Sequence, residues 1–345
     1  MKHETLRAAA LFAFSMLGPA YLSGFEWLRF FSYFGTWGSI GLIVAVAALV
    51  WMQLGLARIM AQHHLRSLRD LFGVLIGPLS ASSMHLLYII LLLGMSGLII
   101  AQEAVLLSQM TPLSITVSVC IVAPLVFLAA GQTWGRLGIL AMGVLGLGSL
   151  YLLLQFFSQS HVPMPSLLYQ MNAKWLWHAL LFIALHGFLS LPVLVSIVSK
   201  TTDQALVPRG IVLGGAVFGV IALAVHFSIL SHWHDVHNSN QPLMQILTQM
   251  FPFGTYTYGV TALLTGLLGV GLWHYGLAAP IVEEFELRQS AVLLVLMLGS
   301  LLFTAVVLWS PWLSMVIYSS LTYTGLALLG MFLLYLYRGR QKPSD

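Results

Sequence analysis

Glu26 and Arg29 lie three residues apart inside a stretch otherwise apolar enough for a bilayer, FSMLGPAYLSGFEWLRFFSYF over residues 14–34. On a helix that spacing puts both on one face. Charges inside a membrane are costly, so an intramembrane carboxyl is a functional candidate by default. The same stretch carries Gly18-Pro19 and Ser23-Gly24. Proline removes a backbone donor and glycine relaxes the helix, so a break is expected over 18–24. Lipid cannot satisfy the freed carbonyls, and such a break must face protein or water. With the midplane near Ala20, Glu26 lies six residues outward, about 9 Å. Two readings follow. Glu26 and Arg29 form an ion pair snorkelling at the boundary, or Glu26 faces a central cavity and takes up a proton or pairs with a cationic solute.

A second interruption, His186-Gly187 and then Pro192, falls in LLFIALHGFLSLPVLVSIVSK. It comes 187 − 18 = 169 residues after the first, about half the chain. Broken helices offer chemistry without side chains. Their N-terminal ends present free N–H groups that suit a carboxylate, and their carbonyl ends suit a cation or ammonium. Residues 18–24 and 186–191 are therefore the expected binding region, with Gly18, Ala20, Tyr21, Ser23, Gly24, Glu26, His186, Gly187 and Ser190 as members. A neutral imidazole at His186 can hydrogen-bond a solute or relay protons; a satisfied core histidine is the plainer alternative. Glu103 lies at a depth similar to Glu26, as a proton or cation site or as a cap to an outer loop. Tyr318 opens the polar run YSSLTYTG, which either glues helices together or lines the cavity. His226 and His274 read as packing residues. His232, His234, Asp235 and His237 lack regular ligand spacing, so no metal site is expected.

These residues must be positioned by membrane helices. The chain has 345 residues, 59% hydrophobic and 7% charged, with mean hydropathy +0.93. Soluble domains carry roughly 25% charged residues. One all-α transmembrane domain is expected, with about ten spans at 8–33, 37–61, 84–110, 113–131, 136–157, 176–199, 209–230, 254–281, 290–308 and 313–337. Loops 158–175 and 231–253 are longer, and a short interfacial helix is expected after Pro242. The first apolar segment shows no cleavable signal. Cys120 stands alone, which excludes an internal disulfide or a cysteine-built metal cluster. The pI near 9.2 comes from Lys and Arg scattered over short loops, not from a nucleic-acid surface. With both termini cytoplasmic, only Arg29 and Lys174 of the 14 Lys and Arg fall outside, as the positive-inside rule requires. Interruptions at corresponding places in two five-span halves, 8–157 and 176–337, point to an inverted repeat.

GPAYLSGFEWLRFF (18–31) resembles the first helix of the YkvI-like bacterial membrane proteins, whose pattern runs roughly G-x-G-F-A-S-G-Q-E-x-x-x-F-F. Similarity continues at 97–103, 208–219, 241–244 and 318–325. Pro19 and Ala20 stand where that family favours small residues and Gly, and Phe25 replaces a polar residue. That family resembles the amino acid–polyamine–organocation transporters, which implies a LeuT-type fold of five plus five helices. There the first and third helices are neighbours, which would bring Glu103 beside Glu26. Sodium coupling in such a fold draws on hydroxyls of the eighth helix. Thr261 and Thr265 are the candidates here, with Gly266 where the family tends to a second Thr.

A secondary transporter is therefore expected, for a small organic solute such as an amino acid or amine. Access would alternate, with a proton favoured over sodium as coupling ion and no cofactor. The alternative is a non-transporting, ligand-sensing membrane subunit of the same fold. No nucleophile–base pair, metal triad or cofactor loop suggests an enzyme. The expected setting is a bacterial inner membrane, with lipid and a small molecule as partners, no nucleic acid, and a monomeric or homodimeric state.

Overall fold

The computed structural model describes residues 2–144, 173–201, 203–250 and 253–340, the side chains of 2, 18–23, 250 and 339–340 apart. Every regular element among them is helical. In order they are α1 (Lys2–Ser23), α2 (Phe25–Phe30), a 3-10 turn (Ser32–Phe34), α3 (Thr36–Gln62), α4 (Leu68–Ile76), α5 (Pro78–Met110) and α6 (Ile115–Ala130). α7 (Trp134–Val144) is followed by α8 (Lys174–Leu189), α9 (Leu191–Lys200), α10 (Leu206–Ser231), α11 (Trp233–Val236), α12 (Pro242–Met250), α13 (Gly254–Phe285), α14 (Gln289–Trp309) and α15 (Trp312–Arg340).

Six of these, α3, α5, α10, α13, α14 and α15, are long and apolar enough to cross a bilayer. A seventh span arises if α8 and α9, bent by 49° at Ser190, are one broken crossing. The other expected spans fall on α1–α2, on α6 and on α7; the last is described only to Val144, so the rest of 136–157 lies outside the described residues. α12 is the helix expected after Pro242. α4 was not expected. Ser67 caps it by accepting from the Asp70 N–H at 3.1 Å, and Leu68, Leu71, Phe72 and Leu75 form its buried stripe.

Contacts between helix ends show how the chain alternates. Trp37 and Trp175 stack at 5.8 Å, which puts the starts of α3 and α8 at one end. Lys200 pairs with Glu283, and His63 meets the Tyr335 hydroxyl at 3.0 Å, which gathers the ends of α3, α9, α13 and α15 at the other. Of the six long spans α13 is the most buried, with 78% of its apolar window inside, and α15 the least, with 28%.

The first helix does not break at Gly18-Pro19. It stays helical through Ser23 and breaks at Gly24, where φ is +72°. Proline forfeits one N–H, which a helix can absorb. The left-handed turn at Gly24 needs the absent side chain. α12 lies over it: a Cβ on Gly24 would stand 2.6 Å from Leu243 Cγ and 3.2 Å from Pro242 Cγ. Gly24→Ala should therefore cost about 1–2 kcal/mol in backbone strain, plus the displacement of α12. The unfolding midpoint of the purified protein should fall by several degrees, while Gly330→Ala, inside α15 with nothing within 4 Å of the added Cβ, should not lower it.

Candidate functional site

The two breaks meet around Glu26. The turn at Gly24 starts α2 afresh, and Glu26 in its first turn points inward, 4% exposed. Its Oε1 accepts a short hydrogen bond from the Tyr318 hydroxyl of α15. Its Oε2 lies 3.4 Å from His186 Nε2, on the last turn of α8. One carboxyl thus joins three elements that are distant in the chain. Arg29 takes no part. It is exposed, and its guanidinium lies 4.8 Å from the Phe25 ring centroid and 5.6 Å from that of Tyr33. Of the two readings, the Glu26–Arg29 pair is not formed; the turn at Gly24 directs Glu26 to the interior, beside His186.

The cluster is walled by rings. Phe182 packs on His186 with centroids 4.0 Å apart, and Trp27 lies 5.4 Å from Phe182 and 5.8 Å from Phe218. Glu26 Oε2, both His186 nitrogens and Trp27 Nε1 are buried without a hydrogen-bond partner among the described residues. The His186–Glu26 separation is within ion-pair range but does not form an aligned hydrogen bond. Buried polar groups normally find partners. Four orphaned atoms around one carboxyl mark a place where a polar ligand would complete the bonding.

The second break is tied up by protein. Pro192 has no N–H, so the Phe188 carbonyl four residues earlier loses its helical donor. The Tyr88 hydroxyl of α5 replaces it at 2.8 Å. Gln53 of α3 donates to the Gly187 carbonyl at 3.2 Å and to Ser190 Oγ at 2.8 Å, and Ser190 Oγ lies 2.8 Å from the His186 carbonyl. The carbonyls of 186–188, expected to be bare, each carry a side-chain donor. Side chains of α3 and α5 take those groups, because a buried free carbonyl is too costly to leave. Gly187 and Ser190 brace the bend. The side chains of Gly18, Ala20, Tyr21 and Ser23 lie outside the description.

Glu103 forms a separate site. It is 1% exposed, neither carboxyl oxygen has a described partner, and the carboxyl presses on α13 at Gly266, where any Cβ would collide with it. Among the described residues it shares no partner with Glu26. Thr265, the residue before Gly266, donates to the Thr261 carbonyl at 2.7 Å, and Thr261 donates to the Thr257 carbonyl at 2.9 Å. Both hydroxyls thus turn back onto their own helix. His226 bridges Ser32 and Ser39, each at 2.9 Å, and His274 meets Ser300 Oγ at 3.0 Å; both are packed side chains. No group of three or more His, Cys, Asp or Glu able to hold a metal occurs among the described residues.

No family profile matches the chain. The uncharacterized membrane protein YkvI of Bacillus subtilis (strain 168) is 22% identical over 256 residues, covering 71% of this chain and 72% of that protein. Among solved structures, a variant of the Eremococcus coleocola manganese transporter with a histidine-to-alanine substitution aligns at TM-score 0.55 and 15% identity, over 99% of this chain and 89% of that one. The same transporter in complex with an aromatic bis-isothiourea substituted compound aligns at TM-score 0.55, over 96% and 77%. The chain is a multi-pass membrane protein. At this identity the likeness to the transporter is one of fold.

Trp27, Gln53, Tyr88, Phe182 and Phe218 were not singled out in the sequence. Only Gln53, a lone amide in the apolar run LVWMQLGL, carried a visible signal. Tyr88→Phe should orphan the Phe188 carbonyl and cost about 1–3 kcal/mol, read as a lowered unfolding midpoint. Tyr323→Phe, on a 64% exposed side chain, should have no effect.

Proposed function

We propose that this protein is a secondary transporter for a small organic solute, an amino acid or amine in chemical class, and not an enzyme. The observation that carries it is the buried Glu26, held by Tyr318 and facing His186, with Oε2, both imidazole nitrogens and Trp27 Nε1 without a hydrogen-bond partner among the described residues. A carboxyl beside an aromatic wall suits an ammonium group, through charge and through ring faces. The likeness of fold to a manganese transporter supports transport as the activity. A metal cargo is disfavoured by the donor set, since one carboxylate and one imidazole stand beside a phenol and an indole.

Alternating access would follow from the two breaks, with α1–α2 and α8–α9 rocking about Glu26 as the paired helices of an inverted, LeuT-type repeat. The coupling ion is a proton. Glu103 is its candidate carrier, a carboxyl in the membrane interior with neither oxygen bonded. Sodium has less support, because the Thr261 and Thr265 hydroxyls are turned onto their own helix. The end bearing Arg66, Arg69, Lys200 and Arg288 would face the cytoplasm of a bacterial cell, as the positive-inside rule directs.

Proteoliposomes tested with labelled amino acids and amines, under an inward proton gradient or an inward sodium gradient, decide the matter. Uptake driven by the proton gradient is expected. Glu26→Gln should reduce it at least tenfold and His186→Ala comparably, while Arg29→Gln keeps most of it. Uptake unaffected by Glu26→Gln would overturn the assignment. Saturable binding without uptake of any solute would favour a sensing subunit instead.

A further inference from the structure

Two arginines without an acidic partner share one groove at the basic end of the bundle. α3 and α10 pack side by side, and a groove of about 650 Å³ runs between them. Leu54 and Ala57 of α3 and Val212 and Leu213 of α10 form apolar walls, and Arg58 and Arg209 line it as well. Arg58 comes four residues before α3 ends, and Arg209 three after α10 begins, so each lies within about 6 Å of a helix end along the axis. That is the depth at which a long basic side chain reaches the headgroup layer while its stem stays among acyl chains.

Three carboxylates of this end are engaged elsewhere. Glu283 pairs with Lys200, Glu284 lies 3.9 Å from Arg69, and Asp203 Oδ1 accepts from the Ala205 N–H at 3.0 Å. Gln204, also on the groove, donates to the Val198 and Thr201 carbonyls. No described residue pairs with Arg58 or Arg209, and both are exposed. The groove therefore offers two planar cations beside a lipid-facing apolar channel, and nothing anionic of its own.

We propose that this groove binds an anionic glycerophospholipid, with its phosphate on Arg58 and Arg209 and an acyl chain along Leu54, Val212 and Leu213. Guanidinium groups take phosphate oxygens in bidentate fashion, and basic pockets between membrane helices are a recurrent way of holding anionic headgroups. The apolar walls select a lipid over a free anion. From Arg209 inward to Ala216 the α10 wall runs about 10 Å, enough to support part of an acyl chain. Leu54 follows Gln53, whose amide braces the α8–α9 bend, so a lipid seated here lies against the turn of α3 that holds the break.

Native mass spectrometry of the full-length protein tests this with phosphatidylglycerol and phosphatidylcholine as probes. Phosphatidylglycerol should be retained preferentially. Arg58→Gln and Arg209→Gln should each weaken its retention about fivefold, the equivalent of about 1 kcal/mol per guanidinium, and leave phosphatidylcholine unaffected. Val212→Trp, at a half-exposed position, should block the groove and lower phosphatidylglycerol retention with both arginines in place. Equal retention of the two lipids, or a preference that survives the double arginine substitution, overturns the proposal. So does protection against heat by millimolar inorganic phosphate equal to that by phosphatidylglycerol, which would mark a free-anion site. A dimer formed through this face that excludes the lipid would overturn it as well.

Discussion

Everything in this structure that concerns function depends on how a carboxyl can be kept inside a membrane. An unpartnered charge there is expensive, so Glu26 must be answered by other groups. Tyr318 answers one oxygen by a hydrogen bond, and His186 stands 3.4 Å from the other. Because these residues sit on α2, α8 and α15, the same contact decides where the two breaks and the outer helix lie. The cluster is nevertheless incomplete among the described residues, with four polar atoms left without partners there behind a wall of rings. A core built only for stability would have closed that network or replaced it with apolar packing.

The breaks themselves are stabilised by different means. At Gly24 the backbone turns left-handed and α12 fills the space above it. At Ser190 the helix bends, and Tyr88 and Gln53 supply donors for carbonyls released near Pro192. The first break is open to no side chain at position 24, whereas the second is held by α3 and α5. The bend at Ser190 is thus fixed by donors from two neighbouring helices, whereas the turn at Gly24 rests on its left-handed backbone and on the packing of α12.

Several of these features were legible in the sequence and others were not. Both interruptions, the helix after Pro242, and Glu26, His186 and Tyr318 as the residues that now meet could be picked out, because polar residues and helix breakers are conspicuous in apolar runs. The exact place of the first break was not legible. Proline is the louder signal, yet Pro19 stays within α1 and the chain turns at Gly24. Nor could the sequence say which partner Glu26 would take. Arg29 was close along the chain, but His186 is brought near by folding, and Arg29 instead lies over the Phe25 and Tyr33 rings. Tyr88 and Gln53 went unnoticed as braces because their role exists only once α8 has bent beside them. α4 was missed because its apolar stripe is short and merges with the polar loop before it.

The most direct test of the central claim is an experimental map of the protein bound to whichever solute it takes up. If Glu26 and His186 form the site, density for the solute should lie within hydrogen-bond distance of Glu26 Oε2 and an imidazole nitrogen of His186, between the breaks at Gly24 and Ser190. Density elsewhere, with the Glu26–His186–Tyr318 cluster unchanged and still unpaired, would contradict the account.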